Sequence, residues 1–70
     1  MTVVSAHGGV VAEFDPHVGL GVVRLDDGRD VPFHCAEIAD GSRRIEPGSR
    51  VLCEVRPKFG RLEAFALVGD

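Results

Sequence analysis

His34 and Cys35 stand side by side, and an imidazole next to a thiol is the raw material of an activated nucleophile. The pair is only adjacent in sequence, with no third group to orient the ring and no oxyanion loop, so nucleophilic catalysis is not expected. Metal binding needs paired ligands, and His7, His17, His34, Cys35 and Cys53 lack the spacing of a zinc site. Gly19-Leu20-Gly21 has the glycines of a phosphate loop but neither the following lysine nor a helix. These glycines are explained by close packing in a tightly curled strand. The residues therefore point to binding, with no enzyme activity, cofactor, metal or small-molecule substrate expected.

The elements that must position these residues are short. With 70 residues the chain is read as one domain, 1–70, with a small core. Hydrophobic residues at 44% and charged residues at 27% place it among globular chains. Nine Gly and four Pro suit short strands better than helical bundles. No apolar run approaches the roughly 20 residues that span a bilayer, so no membrane contact is expected. Nor is there a basic leader with an apolar stretch at the N-terminus, which makes the cytoplasm the expected compartment. Two widely spaced cysteines do not form a secreted disulfide framework.

Val10 to Phe14 reads as a strand ending at the turn starter Asp15-Pro16. Gly19 to Leu25 is the next, with Leu20, Val22 and Arg24 on one face and Val23 and Leu25 on the other. Asp26-Asp27-Gly28 signals a hairpin, and Asp30 to Cys35 returns as a strand that Pro32 confines to an edge or a non-bonded position. Ala36-Glu37-Ile38 suggests one helical turn, followed by a polar loop from Asp40 to Ser49. Arg50 to Val55 alternates, with Val51, Cys53 and Val55 on one side. Pro57-Lys58-Phe59-Gly60 turns the chain into a last strand, Leu62 to Val68. Five short strands predict a small antiparallel all-β barrel. Phe14, Phe33 and Phe65 are assigned to the core, whereas Phe59 is expected to be exposed in its turn.

Several segments then resemble the bacterial cold-shock proteins. Gly19-Leu20-Gly21-Val22-Val23 occupies the place of their glycine-aromatic-glycine-aromatic-isoleucine motif. Asp30-Val31-Pro32-Phe33-His34-Cys35-Ala36-Glu37-Ile38 aligns without gaps to their second motif, typically Asp-Val-Phe-Val-His-Phe-Ser-Ala-Ile. Gly9 to Asp15 is similar to their first strand, and Gly41 with Gly48-Ser49-Arg50-Val51 to their loop and fourth strand. The resemblance spans about 9–68. It implies a five-stranded antiparallel OB-type barrel, the cold-shock domain, and binding of single-stranded RNA or DNA through aromatics of the second and third strands.

The departures are concentrated on that binding face. Glu13 stands at the family's tryptophan position and Ala12 at the neighbouring lysine. Leu20, Val22, Pro32 and Cys35 replace phenylalanines, Ser42 replaces a loop aromatic, and Val18 replaces a lysine. Only His34 keeps its place. Stacking contributes about 1–3 kcal/mol per base, so nucleic-acid affinity is expected to be weakened.

Net charge is −3, which argues against a sequence-blind polyanion binder held by phosphate neutralisation alone. The charge is uneven. Residues 1–41 hold two basic and seven acidic side chains, and residues 42–70 hold six basic and four acidic ones. Two binding roles remain. One is a weak single-stranded nucleic-acid module using His34, Leu20, Val22, Pro32, Cys35, Arg43, Arg44 and Phe59. The other is a protein-interaction module that uses the aliphatic patch left by the replacements.

Overall fold

Alternating apolar residues and Gly-containing turns do produce five strands. The structure, a computed structural model, describes residues 6–69. β1 runs Ala6–Asp15, β2 Leu20–Leu25, β3 Asp30–His34, β4 Arg50–Lys58 and β5 Arg61–Gly69. They form one antiparallel sheet in the order β3-β2-β1-β4-β5. The sheet curls so that a parallel bridge joins Ile38 to Leu67, and the Ala39 N–H donates to the Leu67 carbonyl at 2.8 Å. That contact closes the barrel between the end of β3 and β5.

The core follows from the strand alternation. Val11, Val23, Leu25, Val31, Phe33, Ile38, Val51, Cys53, Ala64 and Leu67 are buried, and Phe14, Cys35, Ile45 and Val55 pack against them. Phe14 and Phe33 stack with centroids 5.8 Å apart and planes 6° from parallel. The Phe33 ring needs room, and Gly21 supplies it. A Cβ at Gly21 would lie 2.5 Å from Phe33 Cζ.

Two bulges interrupt the period of two. In β1, Val11 pairs with Val23 but Glu13 pairs with Val22, so Ala12 is an extra residue. In β5, Leu52 pairs with Val68 but Glu54 pairs with Phe65, which leaves Ala66 and Leu67 opposite Cys53. Ala66 takes φ 54°, the left-handed region. Its N–H donates to Glu37 Oε1 at 3.2 Å.

The second bulge corrects one expectation. Phe65 is not in the core. It lies half-buried on the outer surface with the Arg56 guanidinium 4.4 Å above its ring. The helical turn is also displaced, because a 3-10 turn covers Cys35–Glu37 and not Ala36–Ile38. Finally, β1 begins at Ala6, where Ala6 to Val10 pair with Glu54 to Arg50 of β4.

Candidate functional site

Register brings side chains of three strands into rows on the outer face. Asp15 pairs with Leu20, and Leu20 with His34. Glu13 pairs with Val22, and Val22 with Pro32. Directly opposed residues of neighbouring strands project to the same side, so each row places a carboxylate, an aliphatic group and a β3 residue together. Glu13 reaches this face because the Ala12 bulge resets the alternation of β1. Pro32 lacks an N–H, and its position on edge strand β3 makes that harmless.

A shallow groove of about 320 Å³ runs over this surface, lined by Glu13, Asp15, Val18, Leu20, Gly21, Val22 and Pro32. Its floor is aliphatic, with Val18 61% and Leu20 49% exposed. Its hydrogen-bonding groups are few. Asp15 Oδ1 accepts the N–H of His17 at 2.9 Å and of Val18 at 3.4 Å. Glu13 is exposed and has no partner among the described residues. His34 caps the 3-10 turn, since its Nδ1 accepts the Ala36 N–H at 3.1 Å. That bond assigns the ring proton to Nε2, which leaves an outward donor.

Cys35 does not belong to this face. β3 ends at His34, and Cys35, the first residue of the 3-10 turn, packs half-buried against the core. Its Sγ lies where a Cβ on Gly19 would approach to 2.8 Å, and Gly19 has φ 77°. Burial pushes the Cys53 thiol up, and both cysteines are free. Among the described residues no group of His, Cys, Asp or Glu is arranged to hold a metal ion. No helix among them is long and apolar enough to cross a membrane.

Most of the cations are already paired. Arg24 makes a two-point contact with Asp30 at 2.8 and 3.2 Å, and Arg50 does the same with Asp26 at 2.7 and 3.2 Å. Arg29 binds Asp27, Arg56 binds Glu54 and Lys58 binds Glu63. The hydrogen bonds from Arg24 and Arg50 hold the carboxyls of Asp30 and Asp26 below the usual carboxylate range. Among the described residues Arg43, Arg44 and Arg61 carry no ion pair. Arg43 sits at φ 59° in the exposed loop before β4. Arg44 borders a small cleft with Phe14, Pro16 and Ile45, beside the end of β1 that carries Asp15. Arg61 and Leu62 border a second groove with Asp30 and Pro32, so β5 meets the edge of the face.

Phe59 projects from the β4–β5 turn with 95% of its surface exposed, as the sequence predicts. Phe59 and Gly60 both have positive φ, 51° and 82°, between the paired residues Lys58 and Arg61. This is the mirror-image two-residue turn that matches strand twist, with a phenylalanine where asparagine is usual.

Among 38 matching chains of known structure, the one described as Drosophila Unr CSD456 superposes with a TM-score of 0.80. The match covers 94% of this chain at 25% sequence identity. The fold is that of a cold-shock domain. The chain spans 27% of the length of the Unr structure, so the match is to a domain within a larger molecule. No family model and no curated protein matches the sequence. Within the cold-shock frame, the strands that carry the altered positions Glu13, Leu20, Val22 and Pro32 are those that form the grooved outer face.

Proposed function

We propose that this chain is a non-enzymatic binding domain that holds single-stranded RNA or DNA with weakened affinity, acting in the cytoplasm. The observation that carries the reading is the cold-shock fold with His34 beside Leu20 at one end of the β2–β3 face. A protein that resembles the cold-shock family by sequence and shares its domain fold inherits a face shaped for extended strands. Aliphatic Leu20, Val22 and Pro32 offer apolar contact to bases but less stacking than aromatics. Arg44 near the end of β1 and Arg43 beside it in the exposed loop, both without ion pairs among the described residues, supply positive charge, and Phe59 offers one aromatic ring at a turn tip. Free thiols at Cys35 and Cys53 suit a reducing compartment.

The test is titration against fluorescein-labelled oligothymidine and oligouridine at low salt. Binding in the micromolar range is expected, and no binding up to high micromolar protein would overturn the reading. His34→Ala and the double change Arg43→Ala/Arg44→Ala should each weaken binding. Only the arginine pair should flatten the salt dependence, by about 0.7 in log–log slope for each phosphate no longer neutralised.

A second reading is favoured by one observation, the exposed aliphatic groove that Val18, Leu20 and Val22 line. Contiguous apolar surface of this kind marks protein interfaces. In that case Leu20→Asp with Val22→Asp abolishes capture of a specific protein partner while the fold persists, and unchanged capture excludes this surface.

A further inference from the structure

We infer that the β1–β3 face discriminates between bases and takes cytosine in preference to uracil. The inference rests on the nucleic-acid reading above and assigns that site a ligand preference. Neighbouring strands lie about 4.8 Å apart, so each row spans about 10 Å from β1 to β3 with an aliphatic side chain between. A pyrimidine laid on Leu20 or Val22 therefore meets an acceptor on the β1 side and, in the Leu20 row, a donor on the β3 side.

The acceptors are the carboxylates. Asp15 commits Oδ1 to the amides of His17 and Val18, which leaves Oδ2, and Glu13 has no partner among the described residues. An ionised carboxylate only accepts hydrogen bonds. The donor is His34 Nε2–H, since Nδ1 is occupied by the Ala36 amide. Cytosine carries an amino donor at C4 and a carbonyl acceptor at C2. Uracil carries a carbonyl at C4, which sets oxygen lone pairs against a carboxylate. Pairing of Glu or Asp with the cytosine amino group is an established mode of base readout. The carboxylates weaken phosphate affinity for every sequence alike, so the base preference survives the loss of strength.

The experiment compares labelled oligocytidine and oligouridine of equal length at pH 7.5 and fixed low salt. Wild-type protein is expected to bind oligocytidine about five- to tenfold more tightly, at the lower end of a single base contact's discrimination. Asp15→Asn, which alters the acceptor of the row that also holds His34, should bring the two within about twofold, and Glu13→Gln should tighten both, because an amide both donates and accepts. Equal binding, or tighter oligouridine binding, by the wild type overturns the base preference and leaves the nucleic-acid reading intact. Absence of binding to both overturns that reading and the preference with it. A cytosine preference unchanged in both Glu13→Gln and Asp15→Asn overturns the assignment to these carboxylates.

Discussion

Glu37 accepts a hydrogen bond from the backbone N–H of Ala66 at 3.2 Å, joining the turn after β3 to the bulge of β5. Beside it, the Ile38–Leu67 bridge closes the barrel. Glu37→Ala should therefore loosen the seam, at a cost of about 1–2 kcal/mol, the low end for a hydrogen bond to a charged group because this one is exposed. For a domain of this size that is a fall of about 4–8 °C in Tm per kcal/mol, read by thermal denaturation. Glu37→Gln, which keeps an acceptor, should recover most of it. Equal loss in both variants would assign the effect to something other than this bond.

Left-handed backbone at non-glycine residues offers the opposite sign. Ala66 at φ 54° and Phe59 at φ 51° each hold a conformation that costs an L-residue about 1–2 kcal/mol. Ala66→Gly and Phe59→Asn should each raise Tm by a few degrees. The phenylalanine change carries a second readout, since weaker oligonucleotide binding with gained stability would show Phe59 kept for contact. A drop in Tm for either variant would contradict the backbone account.

Gly21→Ala should be the most damaging single methyl in the chain. The added carbon meets Phe33 at 2.5 Å and the Glu13 carbonyl at 2.7 Å, and overpacking of this kind costs about 1–3 kcal/mol. Urea denaturation measures it. Adding Phe33→Leu should make the alanine less costly than it is alone, and strict additivity of the two changes would exclude the ring as the obstacle.

Acid should weaken the fold through the arginine-paired carboxylates. Asp26, Asp27 and Asp30 titrate below their ordinary 3.8 because Arg50, the Arg29 amide and Arg24 donate hydrogen bonds to them. A group whose folded pKa is lowered stabilises above its unfolded value, and that contribution disappears as pH falls through the folded value. Tm should accordingly be flat between about pH 5 and 7 and decline below about pH 4. Asp30→Asn should shrink the decline, and 1 M salt at neutral pH should reproduce part of it by screening. A Tm that rises on acidification would refute the sign.

Much of this fold was legible in the residues. Alternation put Val23 and Leu25 on the face opposite Leu20 and Val22, the structure buries Val23 and Leu25, and Asp-Gly marked the β2–β3 hairpin correctly. Periodicity failed at Phe65, where Ala64 and Leu67 both face inward with two residues between them. A bulge resets the phase there, and Ala66 gives no local sign of it, since glycine would be the usual occupant. The start of β1 was hidden for another reason. Ala6-His7-Gly8-Gly9 has little strand preference of its own, and pairing with β4 supplies the order. Register sets Leu20, Val22 and Pro32 beside one another and Leu20 beside His34 on the outer face, whereas Cys35 packs against the core where His34 caps the 3-10 turn. The Glu37–Ala66 contact, spanning 29 residues, had no sequence signal.

β1 occupies the middle of the sheet, and its Gly9 and Val10 pair with β2 on one side and β4 on the other. The β2–β3 hairpin and the β4–β5 hairpin thus share one backbone as their common spine. Detaching either hairpin breaks its own ladder and strips one side of β1 of its partners, which should couple the two openings. Amides of Gly9 and Val10 should exchange with solvent only as fast as the whole molecule unfolds, whereas those at the Phe59–Gly60 tip exchange early.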